Sequence, residues 1–579
     1  MTWINHADRR PSRLLPGGPE GGKITDNPRA RRGFGEIHHQ GRFDVKTIAG
    51  TSLRRWALGA AVALLAQSAA TLPALAQTTM KLVPQADLKL FDPISTTAAI
   101  SQNHGLMIYD VLFALDGKMQ PQPQMLERYT TSPDGLKWTF VLRKGLKWHD
   151  GTPVTAKDVV ASLNRWSKHT ARGGYLMMQS AESLVAKDDL TVELTFKTKF
   201  GPVKEMLADP SLPVFIMREK DAMTDPFQQV TETVGSGPFV FVKEEWVPGS
   251  KVVYKKNPDY VPRSEPADGM AGGKIPKLDR VEWIYIPDTN TAVQALLAGE
   301  VDAIEQPPYD LLPAMRKDKN ITIRVLDPLG KMGTIRPNHL HPPFNNLKAR
   351  QALELLIDQK EFLAAMVGNP EFEKECYAVF MCGSPLESDK YGEEYRKTNV
   401  AKAKQLFKEA GYNGEKIVIM QPTDQQLIGT ISMVIAQKLT EAGINVDLQA
   451  TDWSTVITRR TKQDAPGPGS PGWHIFTTWW TGIPVSNPIT NAPLSTTCDK
   501  KNWFGWPCDD EMEKLRAAYV AAGSPAEQKA AAEALQKRYY EILPYASTGQ
   551  FTAPVAYRNT LKGVPNALLL VAWNIEKTK

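Results

Sequence analysis

The chain of 579 residues is longer than one hydrophobic core usually accommodates, so at least two domains are expected. It carries 69 Lys and Arg against 63 Asp and Glu, a net charge of +6. Residues 1–76 alone hold 11 basic and 5 acidic residues, which accounts for this whole excess. The remainder is close to neutral, and its charge gives no reason to expect nucleic acid or an anionic membrane as a partner.

A short apolar segment near the N-terminus predicts an export signal. Arg54 and Arg55 precede the apolar run 57–66, which is far shorter than the roughly 20 residues that span a bilayer. The sequence Ala-Leu-Ala then ends at Ala76, which predicts cleavage before Gln77. Because the residue directly after the predicted cleavage is Gln77 and not a Cys, we expect a released protein without a lipid anchor. Both the general secretory route and twin-arginine export stay open.

Residues 1–44 are rich in Gly, Pro and Arg and have no core-forming pattern. Two interpretations stay open: a long leader, or upstream sequence translated from a misassigned start, with Val45 as the actual initiator. In both cases we expect residues 1–76 to be removed and the mature chain to begin at Gln77.

From residue 77 onward, apolar strands alternate with helices, the pattern of α/β layers. In the N-terminal half we predict strands at 139–142, 239–242, 251–254, 281–286 and 301–304, a helix at 156–166 capped by Thr155, and a helix from Asp288 to Gly299. In the C-terminal half we predict helices at 400–410 and 431–442, strands at 417–420 and 444–448, and an irregular loop at 464–472.

The four cysteines form two close pairs in the C-terminal half. In an oxidising compartment this spacing favours the disulfides Cys376–Cys382 and Cys498–Cys508. A zinc site is the competing interpretation, but the spacings lack a Cys-x-x-Cys knuckle and no His lies between the partners.

Six sequence blocks carry a resemblance to a known family. They are LKWTFVLRKGLKWHDGTP at 136–153 followed by TAKDV at 155–159, GSGPF at 235–239, NPDY at 257–260, LAGEVD at 297–302, and KARQAL at 348–353. Together and in this order, they resemble the bacterial extracellular solute-binding proteins of family 5, the peptide/nickel type that serves ABC importers. The resemblance covers residues 81 to about 554.

The resemblance implies a type II periplasmic binding protein of the α/β class, with two lobes, an enlarged first lobe with an extra subdomain, and a two-strand hinge. We expect lobe 1 at 77–330 plus 550–579 and lobe 2 at 331–549. A monomer would capture a solute in the interlobe cleft and deliver it to a permease and an ATPase in the membrane. The chain has no Walker A pattern, so it cannot power transport itself.

The resemblance also points to the ligand site. In dipeptide-binding members an Asp at the position of Ile483 pairs with the α-amino group, and an Arg in the loop matching 421–426 holds the carboxylate. Neither residue type is present at these positions here, so a free dipeptide held in that way is disfavoured. The candidate ligand-binding residues are Ser95, Thr96, Thr97, Thr423, Asp424, Trp479, Trp480, Thr481 and Ile483.

These residues suit a peptide-like, sugar-like or amine-containing solute, because tryptophan faces accept flat apolar groups, sugars and cations. Each Trp could equally be a core residue. His339, His341 and His474 are too weak a pattern for a metal site, and no cofactor is expected. The alternatives are an exported hydrolase and a periplasmic chaperone or chemoreceptor-linked binding protein. No Gly-x-Ser-x-Gly or His-Glu-x-x-His motif supports the hydrolase.

Overall fold

The computed structural model describes residues 77–169 and 172–578. The predicted leader, the signal segment and Ala76 lie outside the described residues. Within the described part of the chain, no helix has both the length and the apolar character needed to cross a membrane.

The first large sheet has seven strands with a parallel centre. Strand Thr79–Val83 pairs in parallel with Arg280–Ile284 on one side and Ala303–Ile304 on the other. The remaining pairs are antiparallel. In spatial order the strands are Ile321–Val325, Pro554–Arg558, Ala303–Ile304, Thr79–Val83, Arg280–Ile284, Lys251–Lys256 and Phe239–Phe241. The last two strands, predicted at 239–242 and 251–254, form an antiparallel pair.

A four-stranded antiparallel sheet enlarges this first lobe. Its spatial order is Leu126–Thr131, Lys137–Leu142, Thr191–Phe196 and Ala181–Ala186. Helix Ala156–Trp166 follows with the predicted bounds, and a capping box fixes its start. The side chain of Thr155 meets the backbone of Asp158, whose carboxylate accepts the Thr155 N–H at 2.7 Å.

The second large sheet has six strands and forms the other lobe. In spatial order they are Glu373–Lys374, Ala546–Phe551, Lys331–Pro337, Ile475–Thr481, Ile417–Pro422 and Val446–Thr451. Helix Gln426–Glu441 packs on this sheet and begins five residues before the predicted start at 431. Both disulfides, Cys376–Cys382 and Cys498–Cys508, are present as predicted.

Short elements complete the fold. The other helices are Ala99–Ile108, Gly174–Gln179, Val203–Leu207, Glu219–Ala222, Thr289–Ala298, Leu312–Met315, Leu347–Glu354, Gln359–Met366, Val400–Glu409, Trp453–Arg459, Gly482–Val485, Asp510–Ala521 and Pro525–Ile542. The 3-10 turns are Lys243–Glu245, Tyr309–Leu311, Glu393–Tyr395 and Ala492–Leu494. Two strand pairs stand apart from the large sheets: Phe113–Leu115 with Pro121–Pro123, and Leu561–Lys562 with Glu576–Lys577.

The chain passes twice between the two large sheets. The first passage lies between Val325 and Lys331, and the second lies between Phe551 and Pro554. Lys331 and Phe551 are paired residues of neighbouring strands, so the two passages lie side by side, as in a two-strand hinge. The expected division at 549/550 therefore falls inside a strand of the second sheet, which continues to Phe551.

The Gly-Ser-Gly block at 235–237 has a packing role. A Cβ on Gly235 would lie 1.7 Å from the Ile108 carbonyl oxygen, and one on Gly237 would lie 2.7 Å from the Ile108 carbonyl carbon. Neither glycine has a positive φ, so close approach to another backbone, and not special backbone geometry, requires glycine here.

Candidate functional site

A narrow cavity of about 60 Å³ lies between the lobes. The first lobe contributes Thr97, Gln102, Asn103 and Ser211. The second lobe contributes Arg460 and the segment from Thr478 to Thr481, together with Trp453 and Trp503. The cavity is therefore walled by both lobes and by a high proportion of aromatic rings.

Two side chains fix the loop that carries Thr97 by hydrogen bonds to its backbone carbonyls. The amide nitrogen of Gln102 donates to the carbonyls of Pro93 and Thr96, both at 2.8 Å. The buried guanidinium of Arg172 donates to the same two carbonyls and to that of Ile94. These bonds fix the loop, so that Thr97 presents its hydroxyl to the cavity from a rigid support.

The second lobe contributes the end of a central strand. Strand Ile475–Thr481 pairs with Lys331–Pro337 along its whole length and ends at the cleft. Trp480 is buried and packs edge-to-face on Trp503, with 5.1 Å between the ring centroids. Trp479 is half-buried and carries the Lys331 ammonium 3.7 Å from its ring centroid. One face of Trp479 is therefore already occupied by a cation.

The buried cation in the cavity wall is Arg460, which follows helix Trp453–Arg459. It is 2% exposed, and its guanidinium stacks 4.8 Å from the ring centroid of Phe504. The one hydrogen bond of its side chain within the described residues is a long one, 3.4 Å from a terminal nitrogen to the Thr97 hydroxyl. Burial lowers the pKa of Arg460 to about 9, so the group remains charged at neutral pH.

Besides the long bond from Arg460 to Thr97, four direct contacts bridge the lobes around the cavity. The Tyr285 hydroxyl donates to the Asp424 carboxylate at 2.9 Å, and the Thr481 hydroxyl bonds to that of Ser211 at 2.9 Å. The ion pair Lys89–Asp452 spans 3.1 Å, and the Gln425 amide donates to the Gln85 carbonyl. The structure is therefore that of a closed cleft.

The hydrogen bond of Tyr285 has a charged acceptor. Burial first, and then the nearby Asp424, raises the pKa of Tyr285, so the phenol stays protonated and acts as the donor. The other oxygen of Asp424 accepts the backbone N–H of Trp453 at 2.7 Å. Both carboxylate oxygens are thus engaged within the protein.

The structure separates the predicted site residues into three groups. Four line the interlobe cavity together: Thr97, Trp479, Trp480 and Thr481. Two line neighbouring cavities, Asp424 on the side of Tyr285 and Ile483 on the side of Leu329. Three make local contacts instead: Ser95 with Asp92 and Gln229, Thr96 with the backbone of Ala98, and Thr423 with the backbone of Thr451.

Sequence reasoning missed Arg460. The resemblance pointed to a cation in the loop after strand Ile417–Pro422, which has none. The available signal was the Arg459-Arg460 pair at the end of helix Trp453–Arg459, but basic residues at a helix C-terminus are common and do not by themselves indicate a ligand site. Arg459 does fit that description, because it donates to the carbonyls of Pro471 and Gly472.

Comparisons with known proteins place this site in a family. The model of bacterial extracellular solute-binding proteins, family 5 Middle, matches residues 120–502. The chain belongs to this family. A family 5 relative, the probable peptide ABC transporter periplasmic-binding protein y4tO of Sinorhizobium fredii, is 43% identical over 494 residues, covering 85% of this chain and 92% of the relative. The glutathione-binding protein GsiB of Escherichia coli is 27% identical, with 84% and 91% covered.

Solved structures confirm the two-lobed fold of family 5. The periplasmic binding protein AgaA of A. tumefaciens R10, in complex with agropinic acid, aligns with a TM-score of 0.73 and 22% identity, covering 86% of this chain and 99% of AgaA. The dipeptide binding protein of Pseudoalteromonas sp. SM9913, in complex with Met-Leu, aligns with a TM-score of 0.72 and 18% identity, covering 86% and 100%. At these identities the likeness concerns the fold alone.

Proposed function

We propose that the protein is the periplasmic solute-binding component of an ABC importer and takes a small peptide-like or other organic solute into the interlobe cavity. The proposal is supported by membership of family 5 and by the name of the Sinorhizobium fredii relative. The observation that carries it is the cavity itself, because residues of both lobes wall it while direct contacts bridge the lobes.

This geometry couples binding to closure. Thr97 and Ser211 come from one lobe, and Thr481 and Arg460 come from the other, so a solute touches all four only when the cleft is shut. A ligand that contacts both lobes stabilises the closed form by its differential affinity for that form. The closed protein then delivers the solute to a permease powered by a separate ATPase.

Within this proposal the predicted residues take different roles. Thr97, Trp479, Trp480 and Thr481 contact the solute, whereas Asp424 links the lobes through Tyr285. The range of possible solutes narrows accordingly, because an amine held by Asp424 would compete with two hydrogen bonds that this carboxylate already makes. Ile483 extends the site toward the neighbouring cavity, where a longer peptide would continue.

The test is a binding screen on the protein exported from the full-length chain and purified from the periplasm. Thermal unfolding is followed with di- and tripeptides, glutathione, opines and oligosaccharides, and each hit is titrated by calorimetry. Saturable binding with the compound recovered intact supports the proposal. Chemical turnover of a hit would favour the exported hydrolase. If a strain that lacks the gene still takes up the hit at the normal rate, the protein is not needed for import of that compound.

The same preparation tests the export proposal. We propose cleavage between Ala76 and Gln77, no lipid anchor and a monomeric mature protein. N-terminal sequencing, intact mass and light scattering check these three points in turn. An N-terminus upstream of residue 57 or a lipid-sized mass increment would contradict the predicted signal segment.

A further inference from the structure

The buried arginines of the described chain differ in the groups that their guanidinium nitrogens bond to. Arg165 pairs with an aspartate at 2.6 Å and Arg516 pairs with a glutamate at 2.8 Å. Arg172 and Arg336 instead donate to three and four backbone carbonyls. Arg460 has neither arrangement, since no carboxylate of the described residues lies within 4.0 Å and its Nε has no acceptor.

A buried charge without a partner is costly, and proteins normally pair it. The stacking of Arg460 on Phe504, and its wider contacts with Trp453 and Phe476 at 5.6 and 5.7 Å, compensate only in part. The side chain is nevertheless held in the wall of the interlobe cavity. A hydrogen-bond acceptor on a ligand in the cavity would pair with this guanidinium group.

The rest of the wall is also rich in unused donors. The indole N–H groups of Trp479, Trp480 and Trp503 are buried without an acceptor in the described structure, as is the Nε of Arg460. Among the buried side-chain atoms that line the cavity in the described structure, one acceptor is unused, the amide oxygen of Gln102. Donors of this number favour a ligand that brings acceptor oxygens.

We propose that Arg460 binds a carboxylate of the imported solute, with the Thr97 hydroxyl as its neighbour and the tryptophans as the walls around the rest of the molecule. This rests on the proposed function and names the substrate class of that same site. A planar guanidinium fork matches a carboxylate with two parallel hydrogen bonds. Its single positive charge balances a single negative charge, which favours a carboxylate over a doubly charged phosphate.

The charges nearby argue against a cationic group at the same wall. Lys331 covers one face of Trp479, and Arg460 lies among the other rings, so an amine placed here would meet two like charges. The tryptophan rings therefore contact the flat or apolar parts of a carboxylic acid. Binding of a cation on their faces is disfavoured.

The experiment compares Arg460→Met, Arg460→Lys and the wild type, with Arg336→Met as the matched control. In ligand-free protein, Arg460→Met should unfold at the same temperature as the wild type or higher, because it removes an unpaired buried charge. Arg336→Met should unfold at a clearly lower temperature, because four carbonyls lose their donor. A loss of stability in Arg460→Met equal to that of Arg336→Met would overturn the inference.

The second measurement uses acetate as the probe, with acetamide, chloride and phosphate as comparisons at equal ionic strength. Acetate should raise the unfolding temperature of the wild type more than the other three, Arg460→Met should lose this excess, and Arg460→Lys should keep part of it. An equal acetate response in the wild type and Arg460→Met, or a stronger response to phosphate that depends on Arg460, would overturn the assignment. Failure of the solute screen alone would count against the proposed function and leave these two results standing.

Discussion

Closure of the cleft depends on contacts of unequal strength, and Tyr285→Phe removes the strongest of them. The Tyr285 hydroxyl donates to a half-buried carboxylate at 2.9 Å, and hydrogen bonds to charged groups contribute about 1.5–3 kcal/mol. Because both groups are hydrated in the open form, the loss falls on the closed form. Taking the low end, the solute Kd should rise about tenfold.

The matched control is Lys89→Met at an ion pair that also bridges the lobes. Its partner Asp452 is 3.1 Å away, but the two side chains are 45% and 42% exposed, and exposed pairs contribute about 0.2–1 kcal/mol. Lys89→Met should therefore raise the Kd by only about 1.4- to 5-fold, and added salt should remove the difference. The Tyr285→Phe effect should persist in salt.

The assay is calorimetric titration of both variants and the wild type with the free-acid compound that binds tightest in the screen. A Kd for Tyr285→Phe within twofold of the wild type would refute the reasoning, since the Tyr285–Asp424 bond would then play no part in the binding-competent form. A larger effect of Lys89→Met than of Tyr285→Phe would refute the ranking of the two contacts.

Three further predictions concern stability. Burial raises the pKa of Glu354 from 4.5 to about 8, so the folded form holds the carboxyl proton more tightly than the unfolded form. The free energy of unfolding should therefore fall by up to about 5 kcal/mol as the pH rises from about 4.5 to about 8. Glu354→Gln should flatten this slope in denaturant titrations at several pH values, and an unchanged slope would contradict the assignment. The double variant Cys498→Ala/Cys508→Ala should lose about 2–3 kcal/mol, as expected for a short closed loop, and no change in urea midpoint would contradict it. Gly235→Ala should unfold well below the wild type, because its Cβ would meet the Ile108 carbonyl; a wild-type melting temperature would show that the two backbones can separate freely.

Local structure was predictable where one short segment contains all the determinants. Helix Ala156–Trp166 has the predicted bounds because Thr155 and Asp158 form its cap within four residues. The start of helix Gln426–Glu441 was misjudged because Gln425 makes no capping bond to the helix and its amide instead reaches the other lobe. The local sequence contains no signal for a hydrogen bond to a residue so far away in the chain.

The site was predictable only in part because its contacts join distant parts of the chain. Trp479, Trp480 and Thr481 were identifiable as a family segment at the end of a strand. The bond from Arg460 to Thr97 spans 363 residues and that from Thr481 to Ser211 spans 270, so no sequence pattern links these groups. Arg460 gained its significance only when the fold showed that its buried guanidinium has no carboxylate or carbonyl partner in the described structure.

We propose that a solute lies between the lobes with its carboxylate on Arg460. The decisive measurement is a crystal structure of the exported protein with the free acid that binds it tightest. We expect both carboxylate oxygens at about 2.7–2.9 Å from the Arg460 guanidinium, with the remainder of the molecule against Trp479 and Trp480. A compound bound in the neighbouring cavity beside Ile483, or one whose carboxylate faces away from Arg460, would contradict it.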